Sequence, residues 1–264
     1  MGQVAVALVL LTGAGLLIHS FANALAVNPG FDPRNMVTSR VALPGPYRTV
    51  AASAGIQQQI LQALQEIPGV EDAALSASVP FQGGLPINAL TIKENALPRD
   101  SPQPGAFIVG VSVGYFQALH IQLLEGRFFE PSDNLPDRHI YVVDENFAKR
   151  YYPGRSAVGA HFTFGAVPAK DVDWPVIIGV VRAVPHNGVE DKSNIPFVYT
   201  PLVATGARGL SLFVRTSRPF ADTAETLRAM ILSRPTRGPT SPSAWYSSPW
   251  PPWQVTCRQI MRLR

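Results

Sequence analysis

The first 31 residues contain no Asp, Glu, Lys or Arg, and this uncharged, mostly apolar start constrains the chain more than any other feature. A helix that spans a membrane needs about 20 predominantly apolar residues, and residues 3–27 supply that length. Gly13 and Gly15 are small residues of the kind that lets membrane helices approach each other closely. The sequence therefore predicts a transmembrane helix over residues 1–27.

Two other interpretations of this segment stay open. Ala24-Leu25-Ala26 offers a small-x-small cleavage pattern after an apolar run, as in a secretory signal peptide. No Lys or Arg precedes the run, however, and a signal peptide normally carries one there. The third interpretation is a buried helix of a soluble domain. We favour the retained membrane helix, although Arg34, the nearest basic residue, gives too little charge bias to orient it.

Composition limits what the remainder can be. The chain has 264 residues, enough for the helix and one globular domain of about 200 residues. Five of its 22 basic residues and none of its 18 acidic residues lie in 233–264, so the rest carries 17 bases against 18 acids. The overall charge of +4 therefore does not indicate a nucleic-acid partner. Cys257 is the single cysteine, which excludes a disulfide framework and a cysteine-based zinc site.

Hydrophobic periodicity predicts a mixture of strands and helices over residues 28–232. Ile56, Ile60, Leu64 and Ile67 form one stripe of a helix within 47–67. Further helices are predicted at 115–119, 145–151 and 220–232. Strands are predicted at 36–43, 70–79, 87–93, 107–113, 140–143, 160–164, 176–184, 197–200 and 210–216. Strands outnumber helices and do not alternate strictly with them, which predicts an α+β fold.

The composition changes at about residue 233. Pro, Ser, Thr and Arg dominate from there, and three of the four Trp residues appear without helical or strand periodicity. This pattern predicts that residues 233–264 are a disordered tail. Two hypotheses for its origin stay open, namely translation out of frame and a natural Pro-rich linker.

A possible catalytic motif lies at residues 110–114, where Gly-Val-Ser-Val-Gly matches the G-x-S-x-G nucleophile elbow. Ser112 would be the nucleophile. Side chains that could complete a triad follow in the order Asp144, Asp171, Asp173 and His186. An α/β-hydrolase needs alternating strands and helices around the elbow, and this chain does not supply them. We therefore expect Ser112 to cap the helix that starts near Tyr115, and a serine hydrolase is only the third candidate function.

No other motif carries chemistry. The five His residues are scattered without metal-ligand spacing, and no G-x-x-x-x-G-K-[ST] phosphate loop is present. The sequence therefore predicts no catalytic, cofactor-binding or metal-binding residue, and predicts that the chain is not an enzyme.

A series of short segments resembles a known family. Residues 111–119 (VSVGYFQAL) and 124–129 (LEGRFF), in this order, are similar to the extracytoplasmic core domain of MacB-like and FtsX-like ABC transporter permeases. Similar segments follow at 142–154, 157–159, 178–181, 196–201 and 212–216, and two more lie at the start, at 3–20 and 28–32. The resemblance covers about residues 1–230 and is greatest to the large duplicated orphan permeases of this group.

The resemblance implies a permease half in a bacterial inner membrane, with residues 28–232 forming a periplasmic domain of two mixed α/β subdomains. A separate or fused ABC ATPase on the cytoplasmic side would hydrolyse ATP, and the membrane helices would pass the movement to this domain without covalent chemistry there. Structural roles are implied for five residues: turns at Gly126 and Gly154, core positions for Tyr115 and Phe116, and a fixed salt bridge or hydrogen bond for Arg127.

The chain departs from the family pattern in two ways. Permease halves of the family continue into three further membrane helices, and 233–264 is too polar and too rich in Pro to supply them. The ATPase is also absent. We therefore expect a truncated permease that needs a separate ATPase and the remaining helices from other chains, and that works in a dimeric arrangement. The alternative is a membrane-tethered periplasmic interaction or binding domain.

Overall fold

The computed structural model describes residues 3, 10–19, 29–43, 50–81, 83–95, 104–165, 174–185, 194–207 and 209–233, and residues 10–19 form a helix, α1. Among these residues, no helix combines the length and the apolar character that a membrane crossing needs. Most of the span predicted at 1–27 and the tail beyond residue 233 lie outside the described residues.

Ten strands and four further helices follow α1 in the described part of the chain. The strands are β1 (Met36–Ala42), β2 (Val70–Ser76), β3 (Asn88–Ile92), β4 (Gly105–Val111), β5 (Leu123–Gly126), β6 (Ile140–Asp144), β7 (Phe162–Phe164), β8 (Val176–Val181), β9 (Phe197–Pro201) and β10 (Gly209–Thr216). The helices are α2 (Val50–Gln65), α3 (Tyr115–Ala118), α4 (Glu145–Tyr151) and α5 (Phe220–Ser233). Every strand and helix predicted within residues 28–232 is present, and the α+β class is confirmed. Only β5 was not predicted, because its sequence, Leu-Leu-Glu-Gly, is too short to show alternation.

The strands form one sheet in the order β1-β10-β2-β4-β9-β6-β8-β5. Its first half, β1, β10 and β2, is antiparallel throughout. Its second half, from β4 to β5, mixes parallel and antiparallel pairs. Strand β3 lies off this path and pairs with β4 and β7. The halves meet where β2 pairs with β4, and the register there contains one residue pair, Ser76 with Val111. We call this junction the seam.

Three clusters of buried side chains cover the two faces of the sheet. One face carries a cluster shared by both halves, in which Tyr115 and Phe116 of α3 pack with Tyr199 of β9 and Phe213 of β10. On the other face, α2 and α5 pack over the first half, whereas α4 and β7 pack over the second half. The core positions expected for Tyr115 and Phe116 are confirmed. The two mixed α/β halves therefore share one sheet and one of their three clusters.

Alternation along β10 explains how a strand can serve two clusters. Leu210, Leu212 and Val214 point to the cluster beneath α2 and α5, while Phe213 points to the shared cluster. This is the period of two expected of a strand that is buried on both faces. Arg215 follows on the same side as Phe213, so the pattern places a charged side chain in the direction of the shared cluster.

Two of the predicted turn glycines have the same backbone conformation but different surroundings. Gly126 and Gly154 both have a φ of 73°, in the left-handed region that disfavours L side chains. A Cβ atom on Gly126 would overlap the carbonyl oxygen of Ile178, whereas a Cβ atom on Gly154 would meet nothing within 4 Å. Gly126 is therefore required both by its conformation and by the close approach of β8.

We predict that Gly126→Ala lowers the free energy of unfolding by about 3 kcal/mol, of which the left-handed conformation accounts for roughly 1–2 kcal/mol and overpacking for the rest. Gly154→Ala is the matched control and should lose only the conformational part. Urea denaturation of the two variants measures both values. Equal losses at the two positions would show that the contact with Ile178 is unimportant.

Candidate functional site

Ser112, the proposed nucleophile, lies at the seam with its hydroxyl buried. Its Oγ accepts a hydrogen bond from the backbone N–H of Leu75 at 2.9 Å, and its own N–H donates to the carbonyl oxygen of Leu75 at 2.9 Å. The N-cap of α3 is Gly114, with a φ of 88° and no side-chain cap. The expectation that Ser112 caps this helix is therefore wrong, because its side chain faces the neighbouring strand instead.

The seam is held largely by small polar groups on either side of the single residue pair. Ser76 Oγ donates to the carbonyl oxygen of Gly110 at 3.2 Å, and the N–H of Ala77 donates to the same oxygen at 2.8 Å. The residues that resemble a nucleophile elbow therefore extend the pairing of β2 with β4. The motif has a structural role here that its sequence does not reveal.

Asp144, the first candidate acid of the triad, caps helix α4. It is fully buried, and its Oδ1 accepts a hydrogen bond from the N–H of Phe147 at 2.8 Å. Burial raises the pKa of this carboxyl group to about 7. Asp171, Asp173 and His186 lie outside the described residues. Two of the five candidate residues thus have structural contacts of their own.

Arg127 makes the fixed salt bridge that the resemblance implied. Its guanidinium contacts both carboxylate oxygens of Asp133, which is buried, and the N–H of Glu130 donates to Asp133 Oδ2 at 3.0 Å. The hydrogen bonds from Arg127 hold the pKa of Asp133 below its usual value. This pair fixes the turn that follows β5. Within the described ranges, no three His, Cys, Asp or Glu side chains are grouped closely enough to bind a metal ion.

A second set of polar contacts surrounds residues 29–35, which we call the linking segment because they join the N-terminal residues to β1. Arg215 of β10 is only 4% exposed, and its guanidinium donates three hydrogen bonds. Nε donates to the carbonyl oxygen of Ala118 at 3.0 Å, Nη1 to that of Arg34 at 2.7 Å, and Nη2 to that of Asp32 at 2.8 Å. One buried cation therefore connects β10, α3 and the linking segment.

Backbone contacts also hold the linking segment. The N–H of Asp32 donates to the carbonyl oxygen of Leu119 at 2.9 Å, and the N–H of Thr216 donates to that of Asn35 at 3.0 Å. Gly30 has a φ of 74° and approaches Ala183, just after β8, so closely that a Cβ atom would overlap its carbonyl oxygen. The linking segment thus contacts residues from both halves of the sheet.

Charged groups at the surface complete this site. Arg34 donates to both carboxylate oxygens of Asp32, at 3.0 and 3.2 Å, and His120 Nδ1 lies 3.5 Å from Asp32 Oδ2. The hydrogen bonds from Arg34 lower the pKa of Asp32 to about 2. The shortest approach of Arg215 to this carboxylate is 3.8 Å, longer than its bonds to the carbonyl oxygens. Arg215 is therefore held mainly by neutral acceptors.

Arg215 is not among the residues predicted to be functional, although it lies in 212–216, a segment that carries part of the family resemblance. A signal was available, because Arg215 occupies an inward position of a strand that is otherwise apolar or small on that face. Such a buried cation needs several acceptors. Which acceptors these are depends on contacts with residues 97 to 183 positions away, and no local pattern predicts them.

The chain can be compared with known proteins on this basis. Residues 1–231 match the model of the MacB-like periplasmic core domain. The chain belongs to this family. The resemblance inferred from the sequence is thereby confirmed, and the fold described above is that of a MacB-like periplasmic core domain.

Two relatives illustrate the extent of the similarity. The macrolide export ATP-binding/permease protein MacB of Pasteurella multocida is 28% identical over 134 residues, which make up 50% of this chain and 19% of that protein. The chain thus spans about a fifth of the length of that curated relative. The crystal structure of the periplasmic region of MacB from Actinobacillus actinomycetemcomitans has a TM-score of 0.51 and 14% identity, over 79% of this chain and 88% of that one. This second likeness concerns the fold alone.

We predict that Ser112→Ala lowers the free energy of unfolding by about 1–3 kcal/mol, because the buried N–H of Leu75 loses its acceptor. Ser39→Ala in β1 is the matched control, since Ser39 is also buried but its hydroxyl has no hydrogen-bond partner among the described residues. Ser39→Ala should change the free energy of unfolding only slightly. Any esterase activity of the preparation should be the same before and after the Ser112 substitution, and its loss would instead support the serine hydrolase.

We predict that Asp144 makes the stability of the domain depend on pH. Its pKa is higher in the folded chain than in the unfolded chain, so its contribution is complete below about pH 4 and is lost as the pH rises to about 7. The loss amounts to at most about 4 kcal/mol. Asp144→Asn keeps the acceptor for Phe147 and should remove this dependence, which urea denaturation between pH 4.5 and pH 8 measures.

Asp133→Asn is the control for this experiment, because the pKa of Asp133 is shifted in the opposite direction. The contribution of Asp133 is present above its unfolded pKa and is lost only on further acidification. Its substitution should therefore lower stability by the same amount at every pH from 4.5 to 8. Parallel pH curves for the wild-type chain and Asp144→Asn would refute the role of Asp144.

Proposed function

We propose that this chain is part of an ABC transporter permease, in which the MacB-like domain couples ATP hydrolysis on the cytoplasmic side to export or other work outside the membrane. The observation that carries the proposal is the match of residues 1–231 to the MacB-like periplasmic core domain family. In this proposal residues 1–27 span a bacterial inner membrane and the domain lies in the periplasm. Its role is mechanical and it catalyses no covalent reaction.

The contacts of the linking segment support a mechanical role. Residues 29–35 continue directly from the predicted membrane helix and dock on both halves of the sheet, through Arg215 on one side and Ala183 on the other. In this proposal a displacement of that helix acts on both halves of the domain through the linking segment. The burial of Ser112 and its hydrogen bond to Leu75 also favour a non-enzymatic domain, since a nucleophile has to meet its substrate.

The proposal implies partners. The given sequence contains no phosphate loop for ATP, and the proposal assigns the hydrolysis to a separate ABC ATPase subunit. Further membrane helices are required to complete a translocation path, and a dimeric arrangement with two such domains is proposed. Neither a cofactor nor a nucleic acid has a role in it.

Co-purification tests this function. The full chain, carrying a C-terminal tag, is produced in bacterial membranes, cross-linked, purified in detergent and analysed by mass spectrometry. We expect to recover an ABC ATPase subunit with the full chain. A variant in which residues 1–27 are replaced by a cleavable signal peptide is the control, and should lose the ATPase because its domain is no longer connected to the cytoplasmic side.

Two results would contradict the proposal. Recovery of no ATPase with the full chain would favour the alternative, a membrane-tethered domain that binds a partner in the periplasm. Equal recovery with the full chain and with the exported domain would show that the association does not pass through the membrane helix.

A further inference from the structure

The two halves of the sheet are joined by a narrow connection. The regular register between β2 and β4 contains only Ser76 and Val111, and the hydrogen bonds of Ser112 and Ala77 flank it. Neighbouring strands inside the second half share more residue pairs, five between β4 and β9 and two between β6 and β9. Of the strand pairs along the main path of the sheet, β2 and β4 therefore have the shortest regular register.

The linking segment provides a second connection that bypasses the seam. At its end near β1, Arg215 and Thr216 of the first half bind the carbonyl oxygens of Asp32, Arg34 and Asn35. At its other end, Gly30 lies against Ala183 of the second half. The hydrogen bond from Asp32 to Leu119, between β4 and β5, lies between these two anchors.

The chemistry of Arg215 disfavours partial release of this segment. The guanidinium is buried, and two of its three hydrogen bonds go to carbonyl oxygens of the linking segment. Loss of either bond would leave a buried cation with unsatisfied donors, which is costly. A Lys side chain could not replace it, because a single ammonium group lacks the planar fork that reaches three separate acceptors.

We propose that the linking segment is a strap that docks on and leaves both halves of the sheet as one cooperative unit, with Arg215 as its positioning residue. The strap thus holds the halves in a fixed relation, and residues 29–35 are a single attachment point on the domain for the chain that precedes them. That this attachment transmits movement rests on the proposed function. The cooperative docking itself does not.

Native-state hydrogen exchange of the full chain in detergent, followed by NMR, tests the cooperativity. Two amides report on it: that of Asp32 in the middle of the strap, and that of Thr216, whose acceptor is Asn35 at the far end. Gly30→Ala disrupts the end of the strap at Ala183, through the overlap of its Cβ atom and through strain at a φ of 74°. We expect the exchange of both amides to rise by the same factor, about tenfold or more, while amides of β9 keep their wild-type rates.

Arg215→Met disrupts the opposite anchor and should accelerate exchange of the same two amides to a similar extent. The exchange rates of these amides in Arg215→Lys should be close to those in Arg215→Met rather than to those in the wild-type chain. The reason is that the positions and planarity of the donors matter, and not only the charge. Arg127→Met is the matched control. It removes a salt bridge to a buried acid in the turn after β5 and should leave the exchange of Asp32 and Thr216 unchanged.

The proposal is overturned if Gly30→Ala accelerates exchange at Asp32 but not at Thr216, since the two ends would then move independently. It is equally overturned if the amides of β9 accelerate by the same factor, because the effect would then be global unfolding. These outcomes do not depend on an ATPase. If no ATPase co-purifies, but Asp32 and Thr216 exchange in the variants as predicted, the proposed function is refuted and the strap proposal stands.

Discussion

The narrow seam between β2 and β4 is the constraint on which the rest of this structure depends. A sheet whose halves share one regular residue pair cannot rely on backbone hydrogen bonds alone to fix their relation. The shared apolar cluster supplies one solution, because Tyr115 and Phe116 of α3 pack against strands of both halves. Side-chain hydroxyls supply another, with Ser112 and Ser76 extending the pairing by hydrogen bonds to backbone groups. The linking segment adds the third.

Three buried polar groups, those of Ser112, Asp144 and Arg215, form different kinds of hydrogen bonds. The kind of bond determines what each group contributes to the stability of the domain. The hydroxyl of Ser112 accepts from a neutral backbone N–H, so its contribution is modest and independent of pH. The carboxyl group of Asp144 caps a helix but lies in apolar surroundings, so burial acts against its charge. Arg215 keeps its charge and is surrounded by carbonyl oxygens. Ser112 joins strands 37 residues apart, whereas Arg215 joins segments up to 183 residues apart.

Much of the fold could be predicted from the sequence, because its elements follow local patterns. The stripe from Ile56 to Ile67 and the alternation in 210–216 each identify an element without reference to the rest of the chain. β5 was missed because four residues carry too little pattern. The seam and the strap could not be predicted, since they depend on which strands become neighbours. For the same reason, the match of residues 110–114 to the nucleophile elbow suggested catalysis, whereas Ser112 forms hydrogen bonds that join β4 to β2.

The acceptors that Arg215 uses in the strap do not depend on the side chains there. Both of its contacts in the linking segment are backbone carbonyl oxygens, which any residue supplies. The nearby carboxylate of Asp32 is engaged chiefly by Arg34, and its distance from Arg215 is longer than that of either carbonyl. Three features therefore hold the strap: the fork of donors on β10, the close approach that requires glycine at position 30, and Phe31, which packs against the shared cluster and Phe81. A connection of this kind fixes geometry through one buried cation, one absent side chain and one aromatic ring.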